Sequence, residues 1–219
     1  MLSVICPIYN EAKYIDVCVQ SILLQDYPKQ QLEVLFVDGM SKDGTRDIVN
    51  NYSKQYPFIR LLNNEKRIVP VAMNIGIKAS IGDIVMRLDA HAQYPPNYFS
   101  VLVKELVRLR ADNVGVACKT DVLNKTSKTL AIREVLSNRF GVGNSTFRLG
   151  VDKVIEVDTV PFGCWKKDVF NKYGFYDERL IRNQDIELNK RIVRGGGHIF
   201  IVPDTSVSYT HLTLPTIRL

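Results

Sequence analysis

Asp89 and His91 stand two apart in Leu88-Asp-Ala-His91, at the end of a short apolar run, and offer an oxygen and a nitrogen ligand side by side. Such a pair suits a divalent cation of the Mg or Mn type, held jointly with substrate phosphates. The competing reading is an Asp that caps the next turn and a His that is merely exposed. Tyr9 and Asp38 form a second group, since an aromatic face and a carboxylate can hold a nucleobase by stacking and hydrogen bonding. A cation at Asp89 and His91 could then sit on the diphosphate of the same ligand. Asp185, in Asn183-Gln-Asp-Ile-Glu-Leu188, falls in the first turn of an expected helix, where the helix dipole keeps a carboxylate ionised at neutral pH. There it could accept a proton from a hydroxyl attacking beside a leaving phosphate, or simply cap the helix. No G-x-G-x-x-G follows the first expected strand and no G-x-x-x-x-G-K-S/T occurs anywhere, which argues against dinucleotide and P-loop chemistry.

These groups need a scaffold that brings them to one edge. Leu2–Cys6 reads as a buried strand ended by Pro7, followed by a helix with Ile15, Cys18, Val19, Ile22 and Leu23 on one face. Leu32–Val37 is a second strand ending on Asp38. Beyond the loop 39–45, an amphipathic helix carries Ile48, Val49 and Tyr52 on one side. Phe58–Leu62, Val69–Ala79 and Ile84–Leu88 continue as strand, helix and strand. This alternation at crossover spacing predicts an α/β fold: a single domain around a Rossmann-like, doubly wound, mostly parallel sheet. Parallel strands present their carboxyl ends on one side, so Tyr9, Asp38 and Asp89 are expected to converge on one crevice. Further on, Pro95-Pro96 opens a helix and Val114–Cys118 is a fifth strand. Residues 138–150 read as a long mobile loop and Lys153–Val157 as a strand. A helix runs from about Lys166 to Tyr173. The Asp185 helix ends at Gly195-Gly-Gly197 and hands over to the strand His198–Val202.

The chain has 219 residues, 46% hydrophobic and 24% charged, ordinary proportions for one soluble globular domain with a sizeable core. Its net charge of +6, from 29 Lys and Arg against 23 Asp and Glu, suits a phosphate-bearing substrate or an anionic membrane surface. The bases are scattered, with no aromatic-basic stripe, so nucleic acid is not an expected partner. Cys6, Cys18, Cys118 and Cys164 form no C-x-x-C pair, and Cys6 on a strand and Cys18 on a helix read as buried free thiols. That points to a reducing, cytoplasmic setting. The start shows no basic and apolar leader pattern, and no run approaches 18 apolar residues, so the chain as given is expected to be neither secreted nor membrane-spanning. Residues 210–219 continue neither pattern and read as a foreign appendage to a domain spanning 1–209.

From Leu2 to about Tyr209 the sequence resembles the inverting glycosyltransferases of family 2, which have the GT-A fold. The resemblance is carried by Val4-Ile-Cys-Pro-Ile-Tyr-Asn-Glu11, Val37-Asp-Gly-Met-Ser-Lys-Asp-Gly-Thr45, Ala72-Met-Asn-Ile-Gly-Ile77 and Leu88-Asp-Ala-His91. Gly174-Phe-Tyr-Asp-Glu178, Asn183-Gln-Asp-Ile-Glu-Leu188 and Val202-Pro-Asp204 extend it. Arg139-Phe-Gly-Val-Gly143 with Val160-Pro-Phe-Gly163 is most similar to the bacterial exopolysaccharide branch. The resemblance implies that Pro7, Tyr9, Glu11, Asp38 and Asp89 hold the nucleotide donor. It also implies that Asp89 and His91 occupy the D-x-D metal motif for Mn or Mg, and that Asp185 is the catalytic base. Three departures stand out. Gly39 lies where the family often has Asp, so one base contact is lost or replaced. His91 replaces the second Asp of D-x-D, which would favour Mn. Gln184 stands where Glu often precedes the base, which removes a neighbour that would raise the Asp185 pKa. Members of this branch continue past Tyr209 into membrane-associating segments, so the chain is expected to be shorter than they are and peripheral association to depend on segments it lacks.

The expected function is transfer of a sugar from a nucleotide-diphosphate donor, UDP-linked, to a hydroxyl of a saccharide or lipid-linked acceptor in exopolysaccharide or cell-surface glycan synthesis. It would take place in the cytoplasm or at the inner membrane face. The 138–150 loop would close over the donor and exclude water. Two other classes compete: a catalytically weak module that binds nucleotide-sugar without turnover, and a sugar-1-phosphate nucleotidyltransferase. The latter favours a Gly-rich basic loop after the first strand, and Pro7-Ile-Tyr-Asn-Glu11 is not one.

Overall fold

The computed structural model describes residues 1–120 and 151–209, with the side chains of 118–120 and 208–209 left aside. The expected loop 138–150 and the appendage 210–219 lie outside the described residues. In chain order the elements are β1 (Leu2–Ile8), α1 (Ile15–Leu23), β2 (Leu32–Asp38), α2 (Thr45–Gln55), β3 (Ile59–Asn63), α3 (Val69–Ala79), β4 (Ile84–Arg87) and β5 (Ala92–Gln93). They continue as α4 (Tyr98–Arg108), β6 (Asn113–Thr120), β7 (Ile155–Glu156), β8 (Cys164–Lys166), α5 (Asp168–Tyr173), α6 (Gln184–Arg194) and β9 (Ile199–Tyr209).

Among the described residues the strands form one mixed sheet, ordered β3-β2-β1-β4-β8-β6-β9-β5, with β7 also pairing β9. The first four strands in this order are parallel, as the alternation predicted. β8 runs against both β4 and β6, and β6 and β9 are parallel again. A reversed strand was not expected at Pro161–Trp165. Three residues are too few to show a period of two, and Pro and Gly on the approach read as loop. Gly163 is needed there, because a Cβ would collide with the Trp165 ring.

Alternation along β1 explains the layers. Leu2, Val4, Cys6 and Ile8 join a core beneath α1 and α4, while Ile5 joins a second core with Met73, Ile77, Phe170, Leu188 and Ile192 on the opposite face. Both faces of the sheet are therefore buried, which is why β2 is buried at every position. α3 approaches β1 closely at Gly76, where a Cβ would lie 2.5 Å from Ile5 Cγ2.

One buried amide ties the later half of the chain to the first. Asn74 on α3 accepts from the Tyr176 backbone N–H at 3.0 Å, and its own Nδ2 donates to the Tyr176 carbonyl at 3.0 Å and to Glu178 Oε1 at 3.1 Å. The segment between α5 and α6 is thereby fixed on α3. Asn74→Ala would leave the Tyr176 backbone groups unpaired, at a cost of about 1–3 kcal/mol. The expected result is a lower urea midpoint at an unchanged slope.

Candidate active site

Two hollows open at the carboxyl edge of the parallel strands. The first, with a volume of about 160 Å³, is walled by Pro7, Tyr9, Glu11, Gly39, Asn64, Arg67, Arg87, Asp89 and His91, among others. The second, of about 320 Å³, is walled by Thr159, Pro161, Phe162, Asn183, Gln184, Asp185 and Ile186, and again by Arg87 and Asp89. The two share a seam at Arg87 and Asp89.

The loops after β1 and β2 are stitched together. Asn10 N–H donates to Ser41 Oγ at 2.8 Å, Glu11 N–H to Thr45 Oγ1 at 2.8 Å and Ala12 N–H to Asp43 Oδ2 at 3.0 Å. In return Lys42 N–H donates to Asn10 Oδ1 at 3.0 Å. This gives the Ser-Lys-Asp-Gly-Thr stretch its purpose: its hydroxyls and carboxylate hold Tyr9 and Glu11 in place. Tyr9 is 48% exposed, so one ring face is open for stacking. A Cβ at Gly39 would lie 3.0 Å from Tyr9 Cδ2. A side chain at that position would press on the Tyr9 ring, which would have to give by a few tenths of an ångström.

Asp38, expected in the pocket wall, lies beneath it. Its carboxylate has no exposure. It accepts from Ser41 N–H at 3.0 Å, from Ser41 Oγ, and from Arg46 Nη1 at 2.6 Å. The last strand residue is buried and shapes the loop that bears Ser41. Asn64 does reach the wall of the first hollow. Its Nδ2 donates to the Ile68 carbonyl at 3.0 Å, whereas Oδ1 is buried without a hydrogen-bond partner among the described residues.

At the seam, His91 Nδ1 lies 3.2 Å from Glu11 Oε1. That hydrogen bond raises the imidazole pKa against the opposing effect of burial. It also favours the tautomer in which Nε2 is the ligating nitrogen. Asp89 Oδ1 accepts from Arg87 Nε at 3.3 Å and from Nη2 at 3.2 Å. Arg87 Nη1 donates to both oxygens of Asp185, at 2.8 and 2.7 Å, and the Tyr176 hydroxyl lies 3.3 Å from Asp185 Oδ1. Burial alone would lower the Arg87 pKa, but Asp185 and Asp89 outweigh it and hold the group well above its ordinary value, so it remains a cation. Burial, then Asp185, pushes the Tyr176 phenol up, so it stays a neutral donor. Among the described residues Asp185 bonds side chains across the seam rather than capping α6.

As a metal site, Asp89 and His91 give one oxygen and one nitrogen donor on the same wall. No cluster of three or more His, Cys, Asp or Glu side chains is arranged to hold an ion among the described residues. The pair therefore fits a cation that draws its remaining ligands from phosphate and water.

Residues 3–174 match the family model for glycosyl transferase family 2. The chain belongs to that family. It is 29% identical over 213 residues to a dolichyl N-acetyl-alpha-D-glucosaminyl phosphate 3-beta-D-2,3-diacetamido-2,3-dideoxy-beta-D-glucuronosyltransferase of Methanococcus voltae, covering 95% of this chain and 66% of that protein. It is 30% identical over 218 residues to the succinoglycan biosynthesis protein ExoA of Rhizobium meliloti (strain 1021), covering 94% of this chain and 62% of that one. The chain thus spans about two thirds, or a little less, of these relatives' length. Among solved structures it is similar to the mannosyltransferase PcManGT of Pyrobaculum calidifontis, in complex with GDP-Man and Mn2+. The TM-score is 0.74 at 22% identity, covering 98% of this chain and 58% of that one. It is also similar to S. aureus TarS 1-349 in complex with UDP, at a TM-score of 0.69 and 19% identity, covering 96% of this chain and 60% of that one. These likenesses show the GT-A fold.

Within this family-2 domain the structure brings Pro7, Tyr9, Glu11, Asp89 and His91 to one wall and Asp185 to the adjoining one; Asp38 alone lies apart. Arg87, Tyr176 and Phe162 were missed. Arg87 carried a signal, a lone cation inside a buried apolar strand, which must find anionic partners. Asp38→Ala should cost about 1–3 kcal/mol by stranding the buried Ser41 N–H, the half-solvated Arg46 contributing less. The melting temperature would fall by roughly 2–4 °C per kcal/mol. A loss of UDP affinity at an unchanged melting temperature would instead put Asp38 against the base.

Proposed function

We propose that this domain catalyses inverting transfer of a sugar from a UDP-linked donor to an acceptor hydroxyl. The observation that carries this reading is the shared seam. Asp89 ends the hollow that Tyr9 flanks, and Asp185 stands on the far side of the same Arg87. A donor whose base stacks on Tyr9 and whose diphosphate reaches Asp89 would present its anomeric carbon toward the second hollow. An acceptor hydroxyl entering there gives its proton to a carboxylate oxygen of Asp185. Its oxygen bonds the anomeric carbon, the bond to the diphosphate oxygen breaks, and that electron pair leaves with UDP. One displacement from the face opposite the leaving group inverts the configuration. Asp89 and His91 would hold a divalent cation, Mn2+ or Mg2+, which supplies charge neutralisation for the departing diphosphate.

The relatives support the acceptor class. One is named for a dolichyl-linked sugar phosphate acceptor and one for succinoglycan biosynthesis, so a saccharide or lipid-linked acceptor in surface-glycan synthesis is the fitting class. No helix among the described residues is long and apolar enough to cross a membrane. Cys6, Cys18 and Cys164 are buried free thiols, which suits a reducing cytoplasmic site.

Two measurements test the reading. UDP titrated calorimetrically in Mn2+ and again in EDTA should bind markedly more weakly after chelation; unchanged affinity would remove the cation. Asp185→Asn should keep UDP binding and lower UDP release from the donor by about 10²–10⁴, the usual worth of a positioned base. Turnover near the parental rate would leave the base unassigned.

A further inference from the structure

We propose that Arg87 is a positioning residue that holds the carboxylate of Asp185 at the donor face; the proposal rests on the reading of Asp185 as the base. Arg87 interrupts an otherwise apolar strand and is 6% exposed. A buried cation on a central strand is costly unless it is fully paired, and a leucine or methionine would suit β4 better for packing alone. What the arginine adds is geometry. Its Nε and Nη2 face one carboxylate and its Nη1 faces the other, so a single rigid plane sets the placement of Asp89 relative to Asp185.

The plane is itself held. The Arg87 backbone N–H donates to the Gly163 carbonyl at 3.1 Å, and the guanidinium carbon lies 5.5 Å from the Phe162 ring centroid. Asp185, in contrast, sits at the start of a helix entered through Asn183, whose φ is 60°. Its other side-chain partner among the described residues is the Tyr176 hydroxyl at 3.3 Å. The base thus takes its position from the sheet through Arg87 rather than from the loop that leads into its helix. In glycosyl transfer, an ångström of drift in the base would take it out of reach of the acceptor proton, a loss of the order of 100-fold.

The test is a double-variant cycle on this chain with Mn2+. UDP release is measured from UDP-glucose, UDP-N-acetylglucosamine and UDP-glucuronate with water as acceptor, and melting temperature is followed in parallel. Arg87→Met should lower kcat by about 100-fold in the parent yet by no more than about twofold in the Asp185→Asn background, because no base is left to place and the lost contact with Asp89 shows in KM. Arg87→Lys keeps the charge and guards against a variant that does not fold. A point charge cannot bridge both carboxylates, so it should lose at least tenfold in kcat at a near-parental melting temperature. Equal losses by Arg87→Met in both backgrounds would show a structural or donor-binding role, and full turnover by Arg87→Lys would show that charge suffices; either overturns the proposal. If Asp185→Asn itself turns over normally, or the parent releases no UDP from any of the three donors, the transferase reading of the site fails first, and this inference falls with it.

Discussion

A guanidinium taken out of water must be met by negative charge, and at Arg87 that requirement organises the edge of the sheet. Two carboxylates are needed, one from the turn after β4 and one from the start of α6, residues 98 positions apart in the Arg87–Asp185 pair. Removing either leaves the guanidinium with a single carboxylate partner, at a cost in stability. The pairing therefore fixes α6 against the end of β4 wherever the intervening chain travels. Asn74 does the same for the segment just before α6, using neutral hydrogen bonds in place of charge. Beyond the β4–β8 pairing and the shared core, the first, parallel half of the fold thus receives the second through one buried polar and one buried ionic contact. Both points lie beside the same pair of hollows.

Backbone strain gathers at those hollows as well. Of the six non-glycine residues with positive φ among the described residues, Arg67, Phe162 and Asn183 line the cavities directly. Asn10 and Met40 sit in the two stitched loops beside Tyr9. Each such conformation costs of the order of 1–3 kcal/mol and persists only where its surroundings over-determine it. Here the determinants are visible in the Ser41, Asp43 and Thr45 hydrogen bonds and in the buried Asp38 beneath them. Asp38 belongs to this account as a support for the wall that Tyr9 flanks.

The parallel half was legible because its signals are local and repeated. Each of β1, β2 and β4 is an apolar run of strand length, each is followed or preceded by a helix with one apolar stripe, and the parallel carboxyl edge then brings Tyr9, Asp89 and His91 to one hollow. What sequence could not supply was orientation at the last residue of a strand. Asp38 and Asp89 both follow β-runs, yet one turns inward to Ser41 and Arg46 and the other outward to the seam. The difference lies in loop hydrogen bonds that no periodicity records. β8 escaped for a related reason, as three residues flanked by Gly and Lys carry too little pattern to be read as a strand. Arg87 is hard to read from sequence because the run around it is defined by its hydrophobic members, and the exception is the informative residue.

The charges around the first hollow bear on why a cation belongs to the proposed transfer. Asp89 and Glu11 are acidic, Arg87 and Arg67 basic, and the Glu11 hydrogen bond raises the His91 pKa. Arg87 is already committed to two carboxylates, so little of its charge is left for an incoming diphosphate. With His in place of a second carboxylate, the motif carries less negative charge to hold a cation by itself. Such a site would bind nucleotide and metal together more readily than either alone, since each completes the other's ligand set. Metal binding needs the neutral imidazole, so it competes with protonation of His91. On this account the diphosphate is part of the metal site rather than a visitor to it, and that is the physical reason a site with no three-residue ligand cluster among the described residues can still be expected to depend on a divalent ion.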